Sequence, residues 1–191
     1  MSLRPAATVL ASRGVHRGKL LDLRVDTVRL PNGHQTDLEL IRHPGAAAMV
    51  PVDERGDVTL VRQYRHATGG WILEVPAGKL DAGEAPERCA ERELVEEIGR
   101  RPGELIELGW IWTTPGFTDE RIWLFLARRL TAVAASLEDD EVLELETVPF
   151  ANAVERVHHG EIHDGKSVAA LLLAARWLER ERQDAATTPP D

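Results

Sequence analysis

The chain has one cysteine, Cys89, and lacks both a long apolar run and a signal-like start. A single cysteine cannot form an internal disulfide, so we expect a reducing cytoplasm, with Cys89 serving as a small buried hydrophobic side chain rather than a nucleophile. A membrane span needs about eighteen consecutive apolar residues. None occurs, so we expect a soluble, uncleaved chain with no membrane partner.

Positive charge is also scarce, because 23 basic residues stand against 32 acidic ones and the formal net charge is −9 at pH 7. Proteins that bind nucleic-acid backbones normally carry a basic patch, so we expect no nucleic-acid partner. An acidic protein can still bind an anionic ligand when metal ions lie between the two. The charge therefore leaves open a small anionic ligand that is bound through cations.

The N-terminal residues predict a small antiparallel unit. Residues 1–15 lack a clear period and are expected to form a loose entry or arm. Apolar and charged residues alternate over 21–30, as in a half-buried strand, and residues 36–41 form the returning strand after a Pro-Asn-Gly turn. We therefore expect an N-terminal β unit over residues 1–44, a main domain over 45–183 and a disordered tail over 184–191.

The main domain mixes strands and helices without a regular alternation. Strands are predicted over residues 46–52, 58–65, 71–75, 105–113 and 121–127, and a further strand follows an acidic run, residues 138–146. Two closing helices are predicted over residues 150–159 and 167–182. This order predicts the α+β class, or an α/β/α sandwich around a mixed sheet.

Another helix is predicted within GKLDAGEAPERCAERELVEEIGR, residues 78–100. Pro86 suits the first helical turn and Gly99 suits a left-handed helix end, with apolar residues at helical spacing between them. Glu93 and Glu97 are four residues apart, so their Cβ atoms lie about 6 Å apart on one face, and Glu96 flanks the same side. Like charges at this spacing repel one another unless cations occupy the gap.

Two interpretations of these carboxylates compete. Magnesium prefers oxygen ligands and is often held by a few carboxylates together with substrate phosphates, so Glu93, Glu96 and Glu97 are candidate ligands. Alternatively, the charges form a solvated helix face on which Arg92 pairs with Glu96. For an isolated pattern of this kind, the solvated face is the more common outcome.

The spacing of the whole segment favours the metal interpretation, because it resembles the Nudix box. The fixed positions of that motif are all filled, by Gly78, Glu84, Arg92, Glu93, Glu96, Glu97 and Gly99. From average composition, seven such identities coincide by chance about once in a hundred million start positions. The last position differs from the motif, because Arg100 stands where the family usually has an aliphatic residue. We expect this change to alter helix-end packing rather than chemistry.

The resemblance implies a fold and a reaction. The Nudix fold is an α/β/α sandwich with a loop–helix–loop that carries the metal ions, and the reaction is attack of water on a nucleoside diphosphate linked to another group. Mg²⁺ is the implied cofactor, with Mn²⁺ as an alternative. By position, Glu93 and Glu97 are the principal metal ligands, Glu96 assists them, and the carbonyl of Ala77 is a further ligand. The chemistry agrees, because pyrophosphate hydrolysis mainly needs cations that neutralise oxygens and lower the pKa of water.

Other box residues are implied to have structural roles. Gly78 is expected to let the backbone turn so that Ala77 can offer its carbonyl, and Gly99 is expected to end the helix. Arg92 and Glu84 are expected to form a pair that orients the loop against the helix. The box thus divides into glutamates that hold metal and residues that shape the segment around them.

Two segments before and inside the box resemble the ADP-ribose (ADP-sugar) pyrophosphatase branch of the family. VRQYR, residues 61–65, and WILEVPAG, residues 71–78, resemble that branch's R-Q-[YF]-R and E-[LIV]-P-A-G segments. Arg65 then becomes a candidate phosphate clamp, Glu74 a candidate contact on the ribose or metal side, and Trp71 a candidate ring contact. A surface charge is the alternative for the first two, and core packing is an equal alternative for Trp71.

Two later segments resemble the same branch. TPGFTDE, residues 114–120, matches its proline-glycine loop, and a simple turn is the alternative for a Pro-Gly pair alone. The acidic run matches a loop that supplies a metal ligand and a general base, and solvated charge is the alternative for each acid in it. The candidates are Pro115, Gly116, Phe117 and Glu120 for substrate contact, Glu141 for metal, and Asp139 or Glu138 for the base.

The N-terminal hairpin completes the resemblance, because N-terminal strands in this branch usually build a two-fold homodimer. The leading hypothesis is hydrolysis of ADP-ribose, or a related ADP-sugar, to AMP and a sugar 5-phosphate. The nearest alternative is a GDP-mannose or broad nucleoside-diphosphate-sugar pyrophosphatase. A nucleoside-triphosphate or dinucleoside-polyphosphate hydrolase would leave the Pro-Gly loop and hairpin unexplained. A different class is a Nudix module that senses a nucleotide without cleaving it.

Overall fold

The computed structural model describes residues 6–134 and 142–187, which fall into two compact units. Unit 1 comprises residues 6–44 and Trp112–Arg121, and unit 2 comprises Gly45–Ile111 with residues 122–187. Strands and helices follow one another irregularly, so the predicted α+β class is confirmed. Within the described ranges no helix is long and apolar enough to cross a membrane.

Unit 1 contains an antiparallel sheet of β1 (Thr8–Arg17), β2 (Asp22–Arg29) and β3 (Gln35–Arg42), in that order. The predicted β2–β3 hairpin is confirmed, with the Pro-Asn-Gly turn between its two strands. The expectation of a loose arm before it is wrong, because residues 8–17 form β1. All ten residues of β1 are exposed, and its pairing with β2 is interrupted by two register shifts. A strand with no buried face shows no alternation that could reveal it.

Unit 2 holds most of the remaining strands and the helices. Its strands form a four-stranded sheet ordered β7-β4-β10-β9, a three-stranded sheet ordered β12-β5-β6, and a β11-β8 pair. The strands are β4 (Ala46–Pro51), β5 (Asp57–Arg65), β6 (Gly70–Glu74), β7 (Ala77–Lys79), β8 (Arg100–Arg101), β9 (Glu104–Trp112), β10 (Arg121–Arg128), β11 (Thr131–Ala132) and β12 (Leu143–Pro149). The helices are α1 (Pro86–Ile98), α2 (Phe150–His158) and α3 (Gly165–Thr187).

The core of unit 2 is organised around β4, all six residues of which are buried. This strand runs parallel to β10 and antiparallel to β7, so the sheet is mixed. Its alternate side chains enter two separate apolar clusters, one shared with α1 and the other with α2 and α3. A strand buried on both faces with helices on either side is the centre of an α/β/α sandwich, as predicted.

The predicted end of α1 is confirmed, whereas α3 extends further than predicted. Helix α1 ends at Gly99, which has φ 61 and donates its N–H to the carbonyls of Leu94 and Val95. Arg100 then begins β8 as an exposed residue, so the aliphatic slot of the motif faces solvent here. Helix α3 continues to Thr187, so residues 184–187 of the predicted disordered tail are helical, and residues 188–191 lie outside the described residues.

Cys89 is fully buried in the cluster shared with α1, as predicted. Burial raises the pKa of its thiol to about 12, so the thiolate is strongly disfavoured at neutral pH. Only the thiolate is an effective nucleophile. The cysteine therefore contributes packing and not chemistry.

Candidate functional site

Two carboxylates of α1 meet the strand that precedes it. Glu93 and Glu97 are buried, with 7% and 3% of their surface exposed. A carboxylate oxygen of Glu97 accepts a hydrogen bond from the backbone N–H of Ala77 at 3.1 Å. The carboxylate of Glu93 lies directly over Gly78. The structure therefore gathers both predicted principal ligands around the residue whose carbonyl is the further candidate.

Arg92 connects this group to the loop before the helix. Its guanidinium donates to both oxygens of Glu84, at 3.0 and 2.9 Å, and to the backbone carbonyl of Lys79 at 3.1 Å. Its remaining nitrogen donates to Glu93 at 2.6 Å and to Glu96 at 2.9 Å. The hydrogen bonds with Glu84, followed by those with Glu93 and Glu96, raise the pKa of Arg92. One cation thus holds three acids of the box in fixed positions.

Gly78 is required for a different reason from the one predicted. It lies within β7 and has no positive φ, so the prediction that Gly78 lets the backbone turn is wrong. A Cβ at this position would instead overlap the carboxylate of Glu93. Glycine is needed here because an acidic side chain from α1 rests on the strand backbone.

The donor set of the site suits a hard cation. No three Asp, Glu, His or Cys side chains in the described part of the chain are grouped so as to hold a metal ion by themselves. Magnesium is usually held by one or two carboxylates with substrate phosphates and waters, rather than by an all-protein cage. Buried glutamate oxygens beside a backbone strand therefore fit a hard divalent cation.

The ion pair of Glu84 predicts a measurable pH dependence. Hydrogen bonds from Arg92 lower the pKa of Glu84 from 4.5 to about 2. The unfolded chain binds this proton more readily, so the stabilising contribution is present above about pH 4.5 and is lost as the pH falls toward 2. Between pH 4.5 and about pH 2, the free energy of unfolding of Glu84→Gln is expected to fall less than that of the wild type. Urea denaturation at each pH measures this difference.

The matched control for this measurement is Glu87→Gln, which removes the same charge from an exposed position at the start of α1. Wild-type and Glu84→Gln curves that run parallel between pH 4.5 and pH 2 would contradict the assignment. In that case the Arg92–Glu84 pair would not contribute to acid stability.

A second charged group in unit 2 is built from β5 and β6. Arg65 donates from Nε and Nη2 to the two oxygens of Glu74, at 2.8 and 2.9 Å. Its hydrogen bond with Glu74 raises the pKa of Arg65, and the charge of Glu97 adds to this effect. The two-bond geometry fixes the plane of the guanidinium. Arg65 therefore lies near the box acids with its orientation set by Glu74.

Glu74 itself is not placed to contact a ligand. Its side chain is 1% exposed, and both of its oxygens accept hydrogen bonds. Lys166 donates a further hydrogen bond to Oε2. The predicted contact of Glu74 with ribose or metal is therefore replaced by a contact with two cations of the protein.

Lys166 belongs to a set of residues that the sequence prediction missed. Lys166 donates to Asp164 at 2.8 Å, and the Ser167 hydroxyl accepts the backbone N–H of Val75 at 2.8 Å. A weak signal existed, since Asp is a favoured residue immediately before a helix. Nothing in the sequence, however, connects the start of α3 with the end of β6.

Trp71 is not brought to the Arg65–Glu74 pair. It is 44% exposed and packs edge-on against Tyr64, with ring centroids 6.0 Å apart and planes at 72°. The two aromatic residues pair across β5 and β6. Successive side chains of a strand point to opposite faces, so Trp71 and Glu74 lie on opposite faces of the hairpin. Core packing, the alternative for Trp71, is excluded by its exposure.

The TPGFTDE segment lies in unit 1 and adds to the end of β3. Ile41 exchanges backbone hydrogen bonds with the segment, donating to Phe117 at 2.8 Å and accepting from Asp119 at 3.2 Å. Arg42 forms ion pairs with Asp119 at 2.9 Å and with Asp26 at 3.4 Å. These bonds within unit 1 hold the segment in one conformation.

Four residues of this segment were predicted to contact substrate. Pro115 and Gly116 are exposed at the turn, and Phe117 is 50% exposed. Glu120 accepts a hydrogen bond from the hydroxyl of Thr113 at 2.8 Å and lies 3.5 Å from His43. The predicted acids Asp139, Glu138 and Glu141 lie outside the described residues.

Two family models match the chain. The NUDIX domain matches residues 42–171, and the nucleoside diphosphate sugar hydrolase N-terminal domain matches residues 8–38. Over 164 residues the chain is 38% identical to the ADP-ribose pyrophosphatase of Bacillus subtilis (strain 168), with 85% of this chain and 89% of that protein covered. It is 35% identical over 151 residues to the GDP-mannose pyrophosphatase of Enterobacter sp. (strain 638), with 70% and 78% covered.

A solved structure supports the same assignment of the fold. The crystal structure of an ADP compounds hydrolase superposes with a TM-score of 0.82 at 23% identity, covering 95% of this chain and 98% of the other. At that identity the similarity shows the fold, and it confirms the predicted sandwich. The domain match covers the core of unit 2 and contains the whole acidic box on β7 and α1. The chain belongs to the Nudix hydrolase family.

Proposed function

We propose that the protein hydrolyses ADP-ribose, or a related ADP-sugar, to AMP and a sugar 5-phosphate. The observation that carries the proposal is the convergence of buried Glu93 and Glu97 on Ala77 and Gly78. The ADP-ribose pyrophosphatase of Bacillus subtilis, similar over most of both chains, supports the choice of substrate. Mg²⁺ is the proposed cofactor, with Mn²⁺ as an alternative.

The proposed metal site uses Glu93, Glu97 and the Ala77 carbonyl, with Glu96 assisting. When bound, the cation neutralises pyrophosphate oxygens and lowers the pKa of water. Burial of the two glutamates keeps their charges in a medium of lower polarity, where interactions with ions are stronger than in water. Arg92 fixes the rotamers of Glu93 and Glu96 through its hydrogen bonds, so the carboxylates are oriented before any ligand arrives.

Arg65 is the proposed phosphate clamp. Glu74 occupies its Nε and Nη2, while Nη1 has no hydrogen-bond partner among the described residues. The side chain is 40% exposed, so the arginine is open to a ligand from solvent. An arginine whose plane is already fixed loses less freedom when it binds an anion.

The remaining substrate contacts follow from the resemblance. We propose Phe117 and Glu120, with the Pro115–Gly116 turn, as the loop that contacts the nucleotide sugar. Their attachment to β3 supports a preformed loop. Asp139, with Glu138 as the alternative, remains the proposed base, and Glu141 remains a proposed metal ligand.

The nearest alternative substrate is GDP-mannose or another nucleoside diphosphate sugar. The similarity to a GDP-mannose pyrophosphatase favours keeping it as the second candidate. Product analysis with purified full-length protein decides between them. With Mg²⁺, ADP-ribose is expected to yield AMP and ribose 5-phosphate in equal amounts, and EDTA is expected to stop the reaction. Much faster turnover of GDP-mannose would overturn the substrate choice, and no turnover of any nucleotide sugar would favour a nucleotide-sensing module.

We also propose a homodimer formed through unit 1, in a reducing cytoplasm. The match of residues 8–38 to a nucleoside diphosphate sugar hydrolase N-terminal domain supports this. So does β1, in which Val9, Leu10 and Val15 are 56%, 41% and 49% exposed. Solvent-facing apolar residues on one strand are typical of a surface that pairs with another chain. Light scattering is expected to give twice the chain mass, and a monomer would disprove the dimer.

A further inference from the structure

Three residues at the beginning of α3 form a hydrogen-bonded group beside Glu74, namely Asp164, Lys166 and Ser167. We infer that Lys166 is a positioning residue for Arg65 and acts through Glu74 rather than by touching the substrate. The inference rests on the proposed function, in which Arg65 binds a phosphate. Its evidence is a connected set of hydrogen bonds, in which Lys166 donates to Asp164 and to Glu74, and Arg65 donates to Glu74.

The position of Lys166 is set by the start of the helix. Asp164 precedes α3 and accepts the backbone N–H of Ser167 at 3.0 Å, as an N-cap residue does. The same carboxylate accepts from the Ser167 hydroxyl and from Lys166. Ser167 in turn accepts the N–H of Val75, the residue after Glu74. The first turn of α3 is therefore bonded to the end of β6 through both side chains.

Glu74 needs a second cation because it is buried. Burial alone would raise the pKa of its carboxyl group, but the hydrogen bond from Arg65 and the charge of Lys166 lower it below the ordinary value. A buried carboxylate is costly unless its charge and lone pairs are satisfied. With Lys166 on one oxygen, Glu74 keeps a single orientation and offers Arg65 two oxygens in a fixed plane.

Lys166 is poorly placed for direct contact with a ligand. Its side chain is 11% exposed, compared with 40% for Arg65, and its ammonium already donates to Glu74 and Asp164. Removal of the ammonium leaves Glu74 oriented by Arg65 alone. The carboxylate and the guanidinium then settle into a different arrangement, and Nη1 of Arg65 moves away from the position that receives phosphate.

Steady-state kinetics with ADP-ribose and Mg²⁺ test the first consequence. Lys166→Met is expected to raise KM about tenfold, comparable to the loss of other groups that orient a binding residue, with a much smaller change in kcat. Lys166→Arg keeps the charge and two donors and should restore most of the lost affinity. Lys19→Met removes the same charge from an exposed position in unit 1 and is the matched control. A lowered kcat with unchanged KM in Lys166→Met would overturn the inference.

A double-mutant cycle tests whether Lys166 acts through Arg65. In an Arg65→Ala background, Lys166→Met should raise KM by less than about twofold, because the group that it positions is gone. Full additivity of the two substitutions would show that Lys166 binds the substrate independently, and the inference would be wrong. If Lys166→Met does not yield folded protein, Lys166→Gln is used instead for the steady-state kinetics and the double-mutant cycle.

A crystal structure of Lys166→Met gives a readout that needs no substrate. The guanidinium of Arg65 is expected to be displaced or to occupy more than one conformer. An unchanged Arg65–Glu74 pair would overturn the inference. Failure of the wild-type protein to hydrolyse any nucleotide sugar would instead refute the proposed function, and the crystal structure would still decide the role of Lys166.

Discussion

Replacement of Glu97 by glutamine is expected to lower kcat for ADP-ribose hydrolysis by about a thousandfold. A metal ion supplies several kcal/mol of transition-state stabilisation, and roughly 4 kcal/mol corresponds to that factor. Glutamine has almost the same shape as glutamate, and its carbonyl can still accept the N–H of Ala77. The substitution therefore removes the charge that attracts the cation while leaving the packing of α1 in place.

The measurement is a magnesium titration of the initial rate, run beside urea denaturation of each variant. Glu91→Gln is the matched control, because Glu91 lies on the same helix and forms a surface ion pair with Arg88. It should retain wild-type activity. Unchanged hydrolysis in Glu97→Gln would show that α1 does not form the metal site. It would also favour the hypothesis that the protein is a nucleotide-sensing module.

The parts of the fold that sequence predicts well are those whose residues face two different environments. Helix α1 shows an apolar stripe because one side packs on the sheet, and the β2–β3 hairpin is marked by the Pro-Asn-Gly turn between its strands. Strand β1 has ten exposed residues, so it has no such contrast and was missed. The short strands β7, β8 and β11 were missed because two or three residues cannot establish a period.

In the candidate site, too, some residues could be predicted from the sequence and others could not. The box residues are contiguous, and a spacing motif can identify them without knowledge of the fold. Within the group of Arg65, Glu74 and Lys166, the hydrogen bond between Glu74 and Lys166 joins positions 92 residues apart in sequence. Local pattern carries no information about such a contact, because it depends on where α3 meets the end of β6. The sequence therefore suggested that Arg65 and Glu74 each contact the ligand. In the structure, Glu74 orients the guanidinium of Arg65.

The sequence correctly identified Gly78 as an important residue, but the predicted reason for glycine at this position was wrong. Glycine in a motif suggested an unusual backbone, and the observed strand backbone is ordinary. The requirement comes from Glu93, which arrives from fifteen residues later and occupies the space of a side chain. The two residues therefore form one unit: the absence of a Cβ at position 78 creates the place for the carboxylate of Glu93.

This pairing makes Gly78→Ala the second large expected effect. The added methyl group must displace the Glu93 carboxylate, and a displacement of about 1 Å in a reacting group can cost about a hundredfold in rate. We expect kcat to fall by at least that factor. Overpacking of this kind typically costs about 1–3 kcal/mol, so the free energy of unfolding should fall by a similar amount.

A double-mutant cycle on stability isolates the cause. In a Glu93→Ala background the overlap is absent, and Gly78→Ala should be neutral or should stabilise the protein by up to about 1 kcal/mol through the unfolded chain. Gly14→Ala is the matched control, since Gly14 lies in β1 and a Cβ there would meet no atom within 4 Å. If Gly78→Ala costs the same with and without the Glu93 side chain, the close approach of that carboxylate is not the reason for glycine. A strained β7 backbone would then have to account for the loss, contrary to its ordinary φ.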